Sequence, residues 1–149
     1  MRLPERMLPR WLLLAALSLA SPIALAAEDS EDELSPLSVA GAETISTDQA
    51  HGLYLAEVPF VDVRNPRLYA RRHIPRAHHF DLSSDFNKAA LESVVAKHQP
   101  VVIYCSGQKC RRSSSATEFA VEWGFTQVKY YRDGIVGWRD AGLPLQEAP

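Results

Sequence analysis

Apolar residues in this chain gather into short unbroken runs, separated by stretches in which they recur every three or four positions. Val101-Val102-Ile103-Tyr104 is the clearest run, the kind found in a strand buried on both faces. Phe60-Val61-Asp62-Val63-Arg64 is a second, closed by Asn65-Pro66, a pair that favours a turn and then a helix start. Residues 77–80 and 128–131 supply two further strands. Between them the period lengthens. Thr47-Asp48 can cap a short helix running to Leu55, with Asp48 complementing the positive helix end. Asp85 can cap a helix over residues 86–97, where Ala90, Leu91, Val94 and Val95 recur at helical spacing. A Ser-rich helix follows the central run, with Ala116, Phe119, Ala120 and Trp123 on one stripe and Gly124 as its stop. Asp133-Gly134 turns into a last short helix around Val136 to Trp138. Strand and helix in alternation predict an α/β layer structure with a mostly parallel sheet, and no internal repeat is visible.

The first 42 residues do not share this pattern. Arg2, Arg6 and Arg10 precede the apolar run WLLLAALSLA, and Ala24-Leu25-Ala26 follows it. A basic start, a ten-residue apolar stretch and small residues at a cleavage site describe a secretory signal peptide over residues 1–26. The run is too short for a membrane anchor, which needs about 20 apolar residues. A periplasmic or secreted mature protein with no stable membrane span is the expectation. The acidic run Glu28-Asp29-Ser30-Glu31-Asp32-Glu33 cannot bury apolar surface, so residues 27–42 read as a disordered leader and residues 43–149 as the domain. A net charge of −2 lacks the basic excess of a nucleic-acid binder. Two cysteines cannot build the disulfide framework of a small secreted scaffold.

Those two cysteines sit directly after the central run, in Cys105-Ser106-Gly107-Gln108-Lys109-Cys110-Arg111-Arg112-Ser113. The end of a strand followed by a loop and a helix start is where open α/β sheets bind ligands. Backbone N–H groups of such a loop, together with the helix end, favour an anion. A thiolate is such an anion, and the free-cysteine pKa of about 8.5 can fall by several units there. Lys109, Arg111 and Arg112 add full charges, and Gly107 can take a positive φ. Cys105 is therefore the candidate nucleophile. The bland readings are a buried structural cysteine and a plain disulfide in an oxidising compartment. Ser113, Ser114 and Ser115 read as first-turn residues satisfying helix N–H groups, and Trp123 and Trp138 as core.

Three ordered stretches resemble the rhodanese (sulfurtransferase) domain: FVDVRNPRLYARRHIPRAHHFDL at residues 60–82, VVIYCSGQKCRRSSSA at 101–116 and YYRDGIVGWRDAGLPL at 130–145. In the first, Asp62, Val63, Arg64, His73, Ile74, Pro75 and Ala77 are in step, while Arg76 stands where the family usually has Gly. In the third, Gly134, Trp138, Gly142, Leu143 and Pro144 are in step, and Arg132-Asp133 replaces the usual Glu-Gly. The resemblance implies a rhodanese-like three-layer fold, a small parallel sheet flanked by helices. It implies that Cys105 takes sulfur from a small anionic donor such as thiosulfate, holds it as a persulfide, and yields it to a thiol, sulfite or cyanide acceptor. Ser106, Gly107, Gln108, Lys109, Cys110 and Arg112 would bind the donor, with Arg111 beside Cys105 in the catalytic set. No cofactor or metal is implied, and His73, His78 and His79 have surface or packing roles.

The loop departs from the family. Cys105 to Arg111 gives C-x5-R, one residue longer than usual and similar to the loops of rhodanese-fold phosphatases and arsenate reductases. Cys110 resembles the second cysteine of an exported rhodanese-like group with a C-x4-C loop, in which Trp, rather than Arg111, follows it. Sulfur transfer is the leading expectation. A thiol–disulfide or reductase-like role through Cys105 and Cys110, with a periplasmic redox partner, is the alternative, and a non-catalytic binding module the third. A phosphatase would need an acid for the leaving group, and the sequence offers none.

Overall fold

The computed structural model of the chain describes residues 33–149. The expected signal segment, and the acidic run up to Asp32, lie outside the described residues. Five strands form one parallel sheet: β1 (Glu43–Thr44), β2 (Phe60–Asp62), β3 (His78–His79), β4 (Val101–Tyr104) and β5 (Val128–Tyr131), in the order β1-β5-β4-β2-β3. Helices α1 (Thr47–Leu55), α2 (Pro66–Arg71), α3 (Lys88–Glu92), α4 (Arg112–Glu122) and α5 (Gly134–Asp140) connect and cover it. Among the described residues no helix is long and apolar enough to cross a membrane.

Strand alternation divides the core into two. Val101 and Ile103 of β4, with Val61 of β2 and Val128 of β5, face α3 and α4 and pack on Leu91, Ala116 and Ala120. Val102 and Tyr104, with Phe60 and Tyr131, face the other way, onto Ala50 of α1 and Trp138 of α5. Every residue of β4 is fully buried, which explains why its sequence is an unbroken apolar run rather than an alternating one. The fold is thus the α/β, parallel, helix-flanked sheet that the pattern implied.

Local chemistry sets the element ends. Ser46 and Gln49 form a reciprocal capping box on α1, one residue before the expected Thr47-Asp48 cap. Asn65 caps α2 with Pro66 in the first turn. Asn87, not Asp85, caps α3, which stops at Glu92 instead of reaching residue 97. The Ser93 hydroxyl donates to the Ala90 carbonyl, an alternative partner that ends the ladder, while Leu91 and Val95 still enter the core. On α4 the inward positions are Ser113, Ala116, Thr117 and Ala120, and Phe119 is exposed and stacked on Trp123. Small inward side chains let the helix lie close to the sheet beneath Cys105. Arg76 has φ +65°, the left-handed region that explains why glycine is usual there. Its guanidinium lies 4.2 Å from the centre of the Tyr54 ring and donates to the Tyr54 carbonyl.

The stretch before Glu43 differs from the expected disordered leader at its near end. Ser35 and Val39 are buried. The Ser35 N–H donates to the Gln108 carbonyl, the Arg132 guanidinium to the Ser35 carbonyl, and the Tyr130 hydroxyl to the Pro36 carbonyl. This strap is held through its backbone, which is why no hydrophobic period announced it. It leads into β1, a two-residue edge strand that the sequence pattern did not reveal.

Candidate active site

Cys105 leaves β4 at the carboxyl edge of the sheet and is 1% exposed. Its sulfur is joined to that of Cys110 in a disulfide, with Cα atoms 6.4 Å apart. Between them the loop folds as a turn in which the Cys110 N–H donates to the Gly107 carbonyl at 2.9 Å. That amide therefore serves the turn. Cys105 Sγ lies 3.1 Å from the Ser113 hydroxyl and 3.2 Å from the Cys110 carbonyl oxygen. Ser113 belongs to the first turn of α4, so the sulfur sits at the positive end of an eleven-residue helix. The Ser113 hydroxyl is a donor aimed at sulfur, and Ser114 donates to the Arg111 carbonyl. These serines were expected to cap N–H groups; the helix begins instead from Arg111 without a side-chain cap.

The turn after β5 holds the loop from the other side. Ile135 N–H donates to the Cys105 carbonyl at 3.1 Å and Val136 N–H to the Ser106 carbonyl at 3.0 Å. The approach demands Gly134, which has φ +53°: a Cβ there would collide with the Cys105 carbonyl oxygen. Gly107, expected to supply positive φ, is not among the residues in that region; it is buried against Val136 and the Asp133 carbonyl. Gln108 donates through its side-chain amide to Asp133 at 2.7 Å. Below this turn the Tyr131 hydroxyl is 2.8 Å from Thr47 Oγ1, and burial pushes its pKa up to about 12.

A cleft of about 770 Å³ opens over the loop, lined by Ser106, Gly107, Gln108, Lys109, Cys110, Leu34 of the strap, and Asp133, Val136, Gly137 and Asp140 around α5. Cys110 faces it, half-buried. Arg111, next in the chain after Cys110, is exposed and pairs with Glu33 at 3.1 Å, a contact of small energetic weight in solvent. The structure thus brings Ser106, Gly107, Gln108, Lys109 and Cys110 around one opening, while Arg111 is not among its lining residues. It places Arg112 elsewhere. The Arg112 guanidinium donates to Asp81, to Ser83 Oγ and to the Val63 carbonyl, so its charge is answered by Asp81 and its work is to tether α4 to the neighbouring strand's end. That corrects its expected donor-binding role. Ser113, Gly134 and the strap residue Leu34 are positions around the loop and cleft that the sequence reading did not assign to the site; Gly134 had a visible signal, its place in a strand–turn–helix junction.

Next to the loop, the end of β2 forms a closed corner. Asp62 and Arg64 are buried and joined by a bidentate ion pair, and the Arg64 guanidinium also donates to the Arg72 carbonyl at 2.6 Å. The Ile74 N–H donates to the Tyr104 hydroxyl, whose pKa burial raises well above its usual value, with Asp62 adding to the rise. The Tyr69 ring stacks between His73, 3.9 Å away, and His79, 4.3 Å away, and both imidazoles donate to backbone carbonyls. Asp62, Arg64, His73 and Ile74, all in the stretch that resembles a known family, thereby build scaffold.

Comparison with known proteins agrees with this arrangement. Residues 46–141 match the rhodanese-like domain family. The thiosulfate sulfurtransferase GlpE of Actinobacillus pleuropneumoniae serotype 5b is 32% identical over 105 residues, which cover 70% of this chain and 93% of that protein. The HTH-type transcriptional regulator Rv0324 of Mycobacterium tuberculosis is 34% identical over 91 residues, covering 61% of this chain but 38% of the regulator. Among solved structures, the Alr3790 protein from Anabaena superposes with a TM-score of 0.61 at 20% identity, covering 70% of this chain and 92% of that one. The polysulfide-sulfur transferase homodimer from Wolinella succinogenes gives 0.58 at 22% identity, over 72% and 80%. Fold, motif order and relatives agree that the chain belongs to the rhodanese-like domain family.

Proposed function

We propose that the protein is a sulfurtransferase in which Cys105 carries sulfane sulfur from a small anionic donor, thiosulfate or a close analogue. The Cys105 thiolate attacks the outer sulfur of the donor, the S–S bond of thiosulfate breaks, and sulfite leaves with the bonding pair. The persulfide on Cys105 then gives its outer sulfur to a thiol, or to cyanide in an assay. The observation that carries this reading is the position of the Cys105 sulfur, at the end of the buried strand, at the N-terminus of α4 and 3.1 Å from a hydroxyl donor. An anion at that point is favoured by the helix end and by a group that can donate to sulfur. Lys109 and Arg111 supply the field that gathers an anionic donor, and the similarity to a thiosulfate sulfurtransferase supports the same donor class. Residues 1–26 direct export and are removed, placing the enzyme in an oxidising compartment.

The disulfide supports the second reading, thiol–disulfide chemistry at the same two residues. Under sulfur transfer, that bond must be opened before Cys105 can act. The reduced protein is therefore expected to form thiocyanate from thiosulfate and cyanide, and Cys105→Ser to reduce the rate to background while leaving the fold unchanged by circular dichroism. Retention of activity in Cys105→Ser overturns the assignment.

A further inference from the structure

Building on that reading, we propose that the enzyme resolves its own persulfide: Cys110 expels the transferred sulfur from Cys105 as hydrosulfide, and a dithiol reductant then reopens the Cys105–Cys110 bond. The disulfide shows that the Cys110 sulfur reaches bonding distance of Cys105 Sγ within the folded loop. In the persulfide, that Cys105 atom is the inner sulfur. Attack there by the Cys110 thiolate forms the Cys105–Cys110 bond and breaks the bond to the outer sulfur, which leaves along the line of attack and takes a proton from water. Attack on the outer sulfur would require Cys110 to withdraw from the position it holds. Two groups fixed in one short loop react with the advantage of an intramolecular step, so Cys110 competes well against dilute outside acceptors.

The exposure of the two sulfurs orders the second half. Cys105 is 1% exposed, whereas Cys110 lines the cleft. A reductant entering the cleft meets Cys110 first, and attack there releases Cys105 as the thiolate. Of the two sulfurs, Cys105 is the better leaving group, since the Ser113 hydroxyl and the N-terminus of α4 stabilise its negative charge. The dithiol's second thiolate then frees Cys110 and closes the reductant's own disulfide. Over the cycle one thiosulfate and one dithiol become one sulfite, one hydrosulfide, one disulfide and one proton. The partner implied is a reduced dithiol, small or carried on a protein, and the activity is reduction of sulfane sulfur rather than its delivery intact.

The test uses the full chain, reduced, freed of reductant and kept free of oxygen, mixed with one equivalent of thiosulfate or of inorganic polysulfide. Hydrosulfide and intact mass are read for the wild type and for Cys110→Ser. The wild type is expected to release one hydrosulfide per chain and to lose two hydrogens in mass. Cys110→Ser is expected to gain one sulfur atom and release none. A wild type that holds the added sulfur and releases no hydrosulfide overturns the inference while leaving Cys105 sulfur transfer intact; so does a Cys110→Ser protein that releases hydrosulfide as the wild type does. A mass unchanged by both donors in both proteins overturns the sulfur-transfer reading, and this inference with it.

Discussion

Two neighbouring corners at the carboxyl edge of the sheet, one ionic and one holding the paired cysteines, are built on opposite terms. At the end of β2, Asp62 and Arg64 are buried, bidentate and bonded onward to the Arg72 carbonyl. At the end of β4, Cys105 is equally buried, but the loop after it faces a cleft and holds an opening between a turn and a strap. The first corner has every polar group answered and so can only hold shape. The second keeps one sulfur next to a donor and joins it to another, that of Cys110, which lines the cleft. Matching a family pattern therefore does not make a residue part of the reaction; the partners already bound to it decide.

The sharpest way to break this contrast is Arg64→Ala. It leaves Asp62 as an uncompensated buried charge and strips a donor from the Arg72 carbonyl, which should cost about 3–5 kcal/mol of stability. Urea unfolding measures it; a loss under about 1 kcal/mol would show that water reaches the pair. Gly134→Ala strikes the other corner. The left-handed backbone alone costs an alanine there roughly 1–2 kcal/mol, the clash with the Cys105 carbonyl adds to it, and the displaced loop should lower kcat/KM by about 100-fold. A variant that loses stability but retains its rate would mean that the loop carries the sulfur without help from the β5–α5 turn.

The smallest effect separates the corners by pH. Burial disfavours the phenolate and pushes the folded pKa of Tyr131 up to about 12, against an ordinary tyrosine value of 10.0. Between those values the unfolded chain has lost a proton that the folded one keeps, so stability present below pH 10 falls as pH rises toward 12. Tyr104 shifts in the same direction. Tyr131→Phe should flatten the alkaline fall in unfolding free energy without abolishing it, leaving the share of Tyr104 at the closed corner. An unchanged slope would place the titration elsewhere.

Much of the frame was legible because it rests on patterns that burial enforces. Val101 to Tyr104 could only be a strand covered on both sides, and Asn65-Pro66 and Gly124 marked ends that backbone chemistry requires. The loop position of Cys105 followed from the strand before it and the helix after it. What escaped was set by single contacts. Arg112 carries the same charge as Arg111, and only the third dimension brings Asp81 to it. Ser113 looks like any first-turn serine until the helix turns it toward sulfur. The reach of α3 was overstated because Val94 and Val95 keep their place in the core whether or not the chain between is helical. The strap was invisible because its bonds are made by peptide groups, which every sequence has.

That strap has a consequence for where the protein ends. Similarity to the family begins at residue 46, yet Leu34 forms part of the cleft wall, Ser35 N–H grips the Gln108 carbonyl, and Arg132 reaches out to hold Ser35. A shortened chain cut at the boundary that similarity suggests would lose the edge strand β1 together with one side of the cleft. The stretch of polypeptide outside the family match is thus masonry of the cleft over the Cys105 loop.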